Sequence, residues 1–141
     1  MSYKKLEIWQ IADELVIKIH KMSLNELPKF EMFEEGSQIR RSSKSVKSYI
    51  VEGYGRRAYK QDFLRFLVNS IASNDETLDH LENLYNTESL TNMQLYMELH
   101  EKIEKLGRKL NNFINSVQKM HNAAMEPEQY YGLSNYENPE T

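Results

Sequence analysis

The spacing of apolar residues in the last third of the chain is the strongest constraint on the fold. Six apolar side chains recur there at alternating steps of four and three: Leu99, Ile103, Leu106, Leu110, Phe113 and Val117. This spacing places all six on one face of an α-helix, in the narrow seam typical of helical bundles and coiled coils. A helix cannot bury such a seam alone, so the sequence predicts a protein of packed helices.

Similar periodicity predicts three further helices. The four predicted helices are Leu6 to Met22, Lys29 to Gly53, Tyr59 to Tyr85 and Thr91 to His121. Pro28 suits the first turn of the second helix, because proline has no N–H to leave unpaired. Phe33 begins the apolar stripe of that helix. Thr91 and Gln94 fit a capping box at the start of the fourth.

The last twenty residues lose this periodicity. They contain two prolines, four glutamates and no Lys or Arg, a composition typical of irregular segments. Short connections between helices favour antiparallel neighbours. We therefore predict an all-α protein: an antiparallel up-down-up-down four-helix bundle over residues 1–121, followed by an irregular, flexible acidic tail over residues 122–141.

The composition excludes several classes of protein. The chain has no cysteine, so disulfides and thiolate metal sites are ruled out. No apolar run approaches the roughly 20 residues needed to cross a bilayer. The first ten residues, MSYKKLEIWQ, lack the apolar stretch of a signal peptide. We therefore expect a cytoplasmic protein without a membrane partner.

Charge is unevenly distributed along the chain, although the net charge is only -3. A basic cluster between residues 40 and 60 contains a single acid, Glu52, and includes Tyr49 and Tyr54. Its members are Arg40, Arg41, Lys44, Lys47, Arg56, Arg57 and Lys60. Such a cluster is typical of RNA-contacting surfaces. It can equally meet the acidic block between residues 75 and 101 in a neighbouring helix or subunit, and both interpretations stay open.

A polar stripe runs along the second predicted helix. Its members share one helical face: Gln38, Arg41, Ser45, Glu52 and Arg56. Three interpretations remain open: a solvated face, an RNA contact surface, and a structural polar network or subunit interface. In the last of these, Glu52 pairs with Arg41 or Arg56, and Glu76 of the third helix belongs to the same group.

Residues for catalysis or metal binding form no recognisable pattern. The histidines contain no pair spaced four apart, and one helix bearing Glu76 and His80 offers too few ligands for a metal. The serines lie outside any GxSxG motif, and the glycines form no phosphate-binding loop. We predict no enzymatic activity, no metal and no cofactor. The alternative is a hydrolase or metal enzyme that uses Glu76 and His80.

Several short motifs are more specific when taken together. They are Gln-Ile-Arg-Arg at residues 38–41, Glu-Gly at 52–53, Gly-Arg at 55–56 and Phe-x-x-Phe-Leu at 63–67. Leu6, Trp9 and Ala12 extend the match to the first helix. These motifs resemble those of the four-helix bundle proteins encoded in 23S ribosomal RNA intervening sequences. Lys47 and Tyr49 depart from that pattern, which often has proline and asparagine there.

The resemblance implies a bundle that assembles into a ring-shaped homo-oligomer, a pentamer, and acts as an RNA- or ribosome-associated scaffold. A similar fold occurs in the accessory protein of diversity-generating retroelements, which binds nucleic acid and a reverse transcriptase. An accessory subunit of a reverse transcriptase is therefore one alternative, and a pure protein-binding assembly module is another. The negative net charge favours the intervening-sequence family over that basic relative.

Overall fold

The computed structural model describes residues 2–120. Its long helices are α1 (Glu7–Asn25), α2 (Glu35–Gly55), α3 (Lys60–Asn86) and α4 (Met93–Gln118). Two short 3₁₀ helices, Tyr3–Lys5 and Lys29–Phe33, precede α1 and α2. The predicted all-α class is confirmed. The predicted tail over residues 122–141 lies outside the described residues.

Neighbouring helices run antiparallel around the bundle. Polar contacts join residues near the start of one helix to residues near the end of its neighbour. Asp13 with Lys47 and Ser23 with Arg40 join α1 to α2, and Glu35 with His80 and Arg56 with Asp62 join α2 to α3. Glu82 with His100 and Asn74 with Ile103 join α3 to α4, and Glu7 with Lys109 and Lys18 with Glu98 join α4 to α1. The chain therefore folds up, down, up and down, and each connection lies at one end of the bundle.

The apolar seams of all four helices form the core. Phe63 of α3 and Phe113 of α4 are fully buried, with ring centroids 5.9 Å apart. Every residue of the predicted α4 seam is buried, which confirms the interpretation of its spacing. Burial of this apolar surface is the main force that holds the helices together. Within residues 2–120, no helix is long and apolar enough to span a membrane.

The prediction for the start of the second helix is wrong. Residues Lys29–Phe33 form a 3₁₀ helix after Pro28, and α2 begins only at Glu35. The buried carboxylate of Glu31 accepts a hydrogen bond from the backbone N–H of Glu35 at 3.1 Å, so it caps α2 from the preceding segment. Phe33 was predicted to begin the apolar stripe, but its side chain is 85% exposed.

The predicted capping box of Thr91 and Gln94 is also wrong. The N-cap of α4 is Asn92, whose side-chain oxygen accepts a hydrogen bond from the backbone N–H of Leu95 at 3.1 Å. Asparagine caps helices at least as well as threonine. Asn92 also donates to Glu26 Oε1 at 3.0 Å, which ties the start of α4 to the end of α1.

Candidate functional site at the ends of the bundle

The antiparallel fold separates charge along the bundle axis. We divide each helix at its midpoint and name the two halves the basic end (residues 2–16, 46–73 and 106–120) and the acidic end (residues 17–45 and 74–105). The basic end has ten Lys or Arg against five Asp or Glu, a formal charge of +5. The acidic end has eight against twelve, a formal charge of -4.

The surface of the basic end is built from segments that are distant in sequence. The Tyr3–Lys5 turn, the α2–α3 connection and the end of α4 meet there. Exposed cations at this end are Lys4, Lys5, Arg56, Arg65, Arg108 and Lys119. Only Arg56 among these six belongs to the cluster predicted from the sequence. Tyr59, which precedes α3, is 70% exposed and lies on the same end.

Two of the seven predicted RNA-contacting residues hold α1 to α2. Arg40 donates to Ser23 Oγ at 2.9 Å and to the carbonyl oxygen of Met32 at 2.7 Å. Lys47 pairs with Asp13 at 2.8 Å. The charge of Lys47 is thereby compensated, and Arg40 lies at the acidic end. RNA contact by these two residues stays a prediction, but their side chains have structural partners.

Two others bind main-chain oxygens at the basic end. Lys60 donates to the carbonyl oxygens of Gln118 and Met120 and so joins the start of α3 to the end of α4. Arg57 donates to the carbonyl oxygen of Tyr54 at 2.9 Å, and its guanidinium lies 4.1 Å from the centre of the Tyr54 ring. Carbonyl oxygens carry no net charge, so both cations still contribute positive potential to this end.

Arg41 and Lys44 differ from the rest of the predicted cluster. Both side chains are exposed on α2, and within residues 2–120 no hydrogen bond or ion pair engages them. They belong to the acidic half of the bundle and lie about three to four helical turns before the end of α2. They form a small free basic site on the flank of α2.

The predicted polar stripe lies at the surface of the single chain. Gln38, Arg41, Glu52, Arg56 and Glu76 are exposed, and Ser45 is half-buried. One predicted pairing is present, because Glu52 Oε2 lies 3.6 Å from Arg56 Nε, but both side chains are about half exposed. An exposed pair of this kind contributes under about 1 kcal/mol. The subunit-interface interpretation of the stripe stays a prediction.

A different set of polar residues crosses the core, and sequence reasoning missed it. Ser42 accepts a hydrogen bond from Thr77 Oγ1 at 2.8 Å, linking α2 to α3. Ser70 donates to the carbonyl oxygen of Val46 at 2.8 Å. Asn74, a polar residue inside the apolar stripe of α3, donates to the carbonyl oxygen of Ile103. The sequence signal for these bonds was the position of Ser42, Ser70 and Thr77, whose small hydroxyl side chains fall at helical spacing among apolar residues.

The acidic end displays apolar side chains. Within residues 2–120 nine large apolar side chains are exposed, and seven lie at this end: Ile17, Leu24, Phe30, Met32, Phe33, Met93 and Met97. Phe30 is 63% and Phe33 85% exposed. We call the Lys29–Phe33 segment the aromatic platform. This segment is anchored to the connection between α3 and α4, because the buried carboxylate of Glu31 accepts a hydrogen bond from Ser89 Oγ at 2.6 Å.

A histidine bridge joins α3 and α4 in the acidic half. Nε2 of His100 lies 2.8 Å from Glu82 Oε2, and Nδ1 lies 3.0 Å from Glu104 Oε1. Both ring nitrogens therefore face carboxylates, which favours the imidazolium. Partial burial opposes that charge, but the hydrogen bonds and charges of Glu82 and Glu104 outweigh it and raise the pKa of His100.

Glu76 and His80, the residues of the alternative enzyme hypothesis, form no hydrogen bond or ion pair with each other. His80 Nδ1 is hydrogen-bonded to Glu35 Oε2 across the α2–α3 seam. Glu76 is exposed and takes no part in that bond. Within residues 2–120 no three His, Asp or Glu side chains are arranged to hold a metal ion.

Comparisons with known proteins agree with this architecture. The family profile described as 23S rRNA-intervening sequence protein matches residues 4–112. The fold is similar to that of a protein of unknown function from the S23 ribosomal protein family of Bacteroides thetaiotaomicron, with 25% sequence identity and a TM-score of 0.67 over 77% of this chain and 95% of that chain. No curated protein matches the sequence. The chain belongs to the family of 23S rRNA-intervening sequence proteins.

Proposed function

We propose that this protein is a non-catalytic, homo-oligomeric scaffold that contacts RNA backbone through the basic end of its bundle. The observation that supports the RNA contact is the formal charge of +5 at that end. Phosphate binding by clustered cations releases counterions and needs no base-specific pocket. Exposed Tyr59 adds a ring on which an unpaired base can stack.

The basic end is a better RNA surface than the flank of α2. On that flank Lys47 is paired with Asp13, and Arg41 and Lys44 are the cations without a side-chain partner among residues 2–120. At the basic end, Lys4, Lys5 and Lys119 are exposed, and within residues 2–120 no carboxylate pairs with their side chains. Repetition of this end around an oligomer would multiply weak contacts into useful avidity.

The RNA proposal is tested by fluorescence anisotropy of a structured RNA with three charge-reversal variants. Lys5→Glu with Lys119→Glu removes charge at the basic end. Lys21→Glu with Lys105→Glu makes the same change at exposed positions of the acidic end that lie outside the aromatic platform. Arg41→Glu with Lys44→Glu tests the flank of α2. We expect the first variant alone to lose about tenfold or more in affinity at low salt.

Wild-type affinity should also fall steeply as salt rises, because phosphate contacts dominate. An equal loss in all three variants would indicate a diffuse effect of net charge and contradict a site at the basic end. No retention of RNA by the wild type at low salt would contradict RNA association altogether. The protein would then be better described as a protein-binding assembly module.

The aromatic platform supports self-association at the opposite end. Phe30 and Phe33 project from a segment that a buried carboxylate and Arg40 hold in place. Exposed aromatic side chains on a fixed backbone lose little conformational entropy on binding. We propose that the occupant of this surface is a second copy of the chain, and that the assembly is a closed ring, a pentamer.

Light scattering tests the assembly. The wild type should have a mass close to five times 16.7 kDa. Phe30→Ser with Phe33→Ser should dissociate it while circular dichroism remains helical. Tyr59→Ser removes an aromatic side chain that is 70% exposed at the other end and should leave the mass unchanged. A wild-type mass of 16.7 kDa would contradict the proposal.

A further inference from the structure

We propose that the acidic C-terminal segment, residues 121–141, docks on the basic end of the bundle from which it emerges. The segment acts there as a built-in polyanion. Its docking does not require RNA binding. The consequence that it competes with RNA for the same cations rests on the proposed function.

The path of the chain places the segment at this end. Helix α4 ends at Gln118, and the described residues end at Met120. Lys60 Nζ donates to the carbonyl oxygens of both residues, which fixes the point of exit beside the start of α3. The described part of the chain therefore ends among the exposed cations of the basic end, about 40 Å from the acidic end along α4.

The charges of the segment and the basic end are complementary. Residues 121–141 contain four glutamates and no Lys or Arg, a formal charge of -4. The basic end carries a formal charge of +5, whereas the acidic end carries -4 and repels the segment. Attraction between exposed charges is screened beyond roughly 8 Å at physiological ionic strength, so it favours the nearest oppositely charged surface.

The segment is long enough to cover this surface and carries groups that suit it. Twenty-one extended residues reach about 70 Å, whereas the bundle is only a few helices wide. Tyr130, Tyr131 and Tyr136 lie among the glutamates. Exposed arginines such as Arg108 offer planar guanidinium groups on which tyrosine rings stack.

Energy transfer within the chain tests the docking, because the sequence supplies a clean pair of positions. Trp9 is the only tryptophan and lies in the first turn of α1, at the basic end. The chain has no cysteine, so Ser134→Cys accepts a single fluorescent acceptor. We expect efficient transfer from Trp9 at low salt and a clear loss of transfer as salt rises.

Matched variants separate docking from the average position of a free chain. Replacing Glu126, Glu128, Glu137 and Glu140 with glutamine in the Ser134→Cys chain should reduce transfer at low salt to the high-salt value. Lys5→Glu with Lys119→Glu should do the same, while Lys21→Glu with Lys105→Glu should leave transfer unchanged. Transfer that depends on neither salt nor the glutamates would overturn the proposal.

Two further outcomes keep this proposal apart from the proposed function. Dilution of labelled protein with a large excess of unlabelled protein should leave transfer unchanged, and a fall would overturn docking on the segment's own bundle. The glutamine variant should bind structured RNA several-fold more tightly than wild type. If energy transfer detects docking but the protein retains no RNA, the result would support the inference and contradict the proposed function. RNA retention without docking would do the reverse.

Discussion

At the basic end of the bundle the buried charged residue is Lys109, and at the acidic end it is Glu31. Lys109 Nζ pairs with Glu7 Oε1 at 3.0 Å, so its positive charge is compensated by a carboxylate. Glu31 accepts hydrogen bonds from two neutral donors, Ser89 Oγ and the backbone N–H of Glu35. Each end thus joins a helix start to another element through one buried charge.

The surfaces of the two ends differ much more than these interiors. The basic end presents cations and Tyr59, and the acidic end presents seven of the nine large apolar side chains exposed within residues 2–120. Interior polar groups fix the geometry of both ends, while surface groups decide what each end can bind. Variants of the interior should therefore change stability, and variants of the surface should change association.

The largest effect on stability is expected from the ion pair at the basic end. Glu7→Gln leaves the ammonium of Lys109, whose side chain is 1% exposed, without its counter-charge. Removing one partner of a buried pair costs about 3–5 kcal/mol, and partial exposure of Glu7 favours the lower figure. Chemical denaturation measures the loss. Lys109→Met, which removes the charge but fills the space, should cost much less, and equal losses would show that the charge is not the cause.

The corresponding variant at the acidic end should cost slightly less. Glu31→Ala strands the hydroxyl of Ser89 and the N–H of Glu35, at about 1–3 kcal/mol in total. Glu31→Gln should be much milder, because its amide can accept from the backbone and donate to Ser89. Urea unfolding compares the two. A glutamine variant as unstable as the alanine variant would indicate that the negative charge itself is needed.

Two glycines of α2 give a matched comparison between the ends. A Cβ at Gly36, at the acidic end, would lie 2.4 Å from the carbonyl oxygen of Glu31. Gly36→Ala should therefore destabilise by about 1–3 kcal/mol. A Cβ at Gly55, at the basic end, meets nothing within 4 Å, so Gly55→Ala should stabilise by about 0.5–1 kcal/mol. Melting temperatures that move in the same direction would contradict the different packing at the two ends.

The smallest effect concerns the histidine bridge of the acidic half. The folded-state pKa of His100 is raised above its ordinary value of 6.5. The bridge to Glu82 and Glu104 therefore stabilises the fold fully below about pH 6.5, and this contribution is lost as pH rises through the folded-state pKa. At acidic pH the free energy of unfolding of the wild type should exceed that of His100→Gln by under about 1 kcal/mol, and this difference should disappear at alkaline pH. A difference that grows with pH would contradict the imidazolium.

The helices could be predicted from the sequence because their signals are local. The spacing from Leu99 to Val117 identified the α4 seam, and burial of those residues confirms it. The 3₁₀ helix before α2 was missed, because Glu31, which caps α2 from this segment, also accepts a hydrogen bond from Ser89, 58 residues away. Periodicity cannot register such a contact. The same limit applies to Lys109, whose partner lies in α1.

The separation of charge between the two ends of the bundle was not predicted, for a related reason. Along the chain seven basic residues cluster between residues 40 and 60, but the fold places Arg40 and Arg41 at one end and Arg56 at the other. It also places Lys4, from the start of the chain, at the same end of the bundle as Lys119, from the end of α4. Placing each charge on the predicted up-down topology would have revealed this arrangement.

Lysine footprinting tests the difference between the ends most directly. The protein is acylated with and without structured RNA at low salt, and the modification of each lysine is measured by mass spectrometry. We predict that RNA protects Lys4, Lys5 and Lys119 several-fold. Lys21, Lys29 and Lys44 should react as before. Protection centred on Lys44, or uniform protection of both ends, would contradict a polyanion site at the basic end.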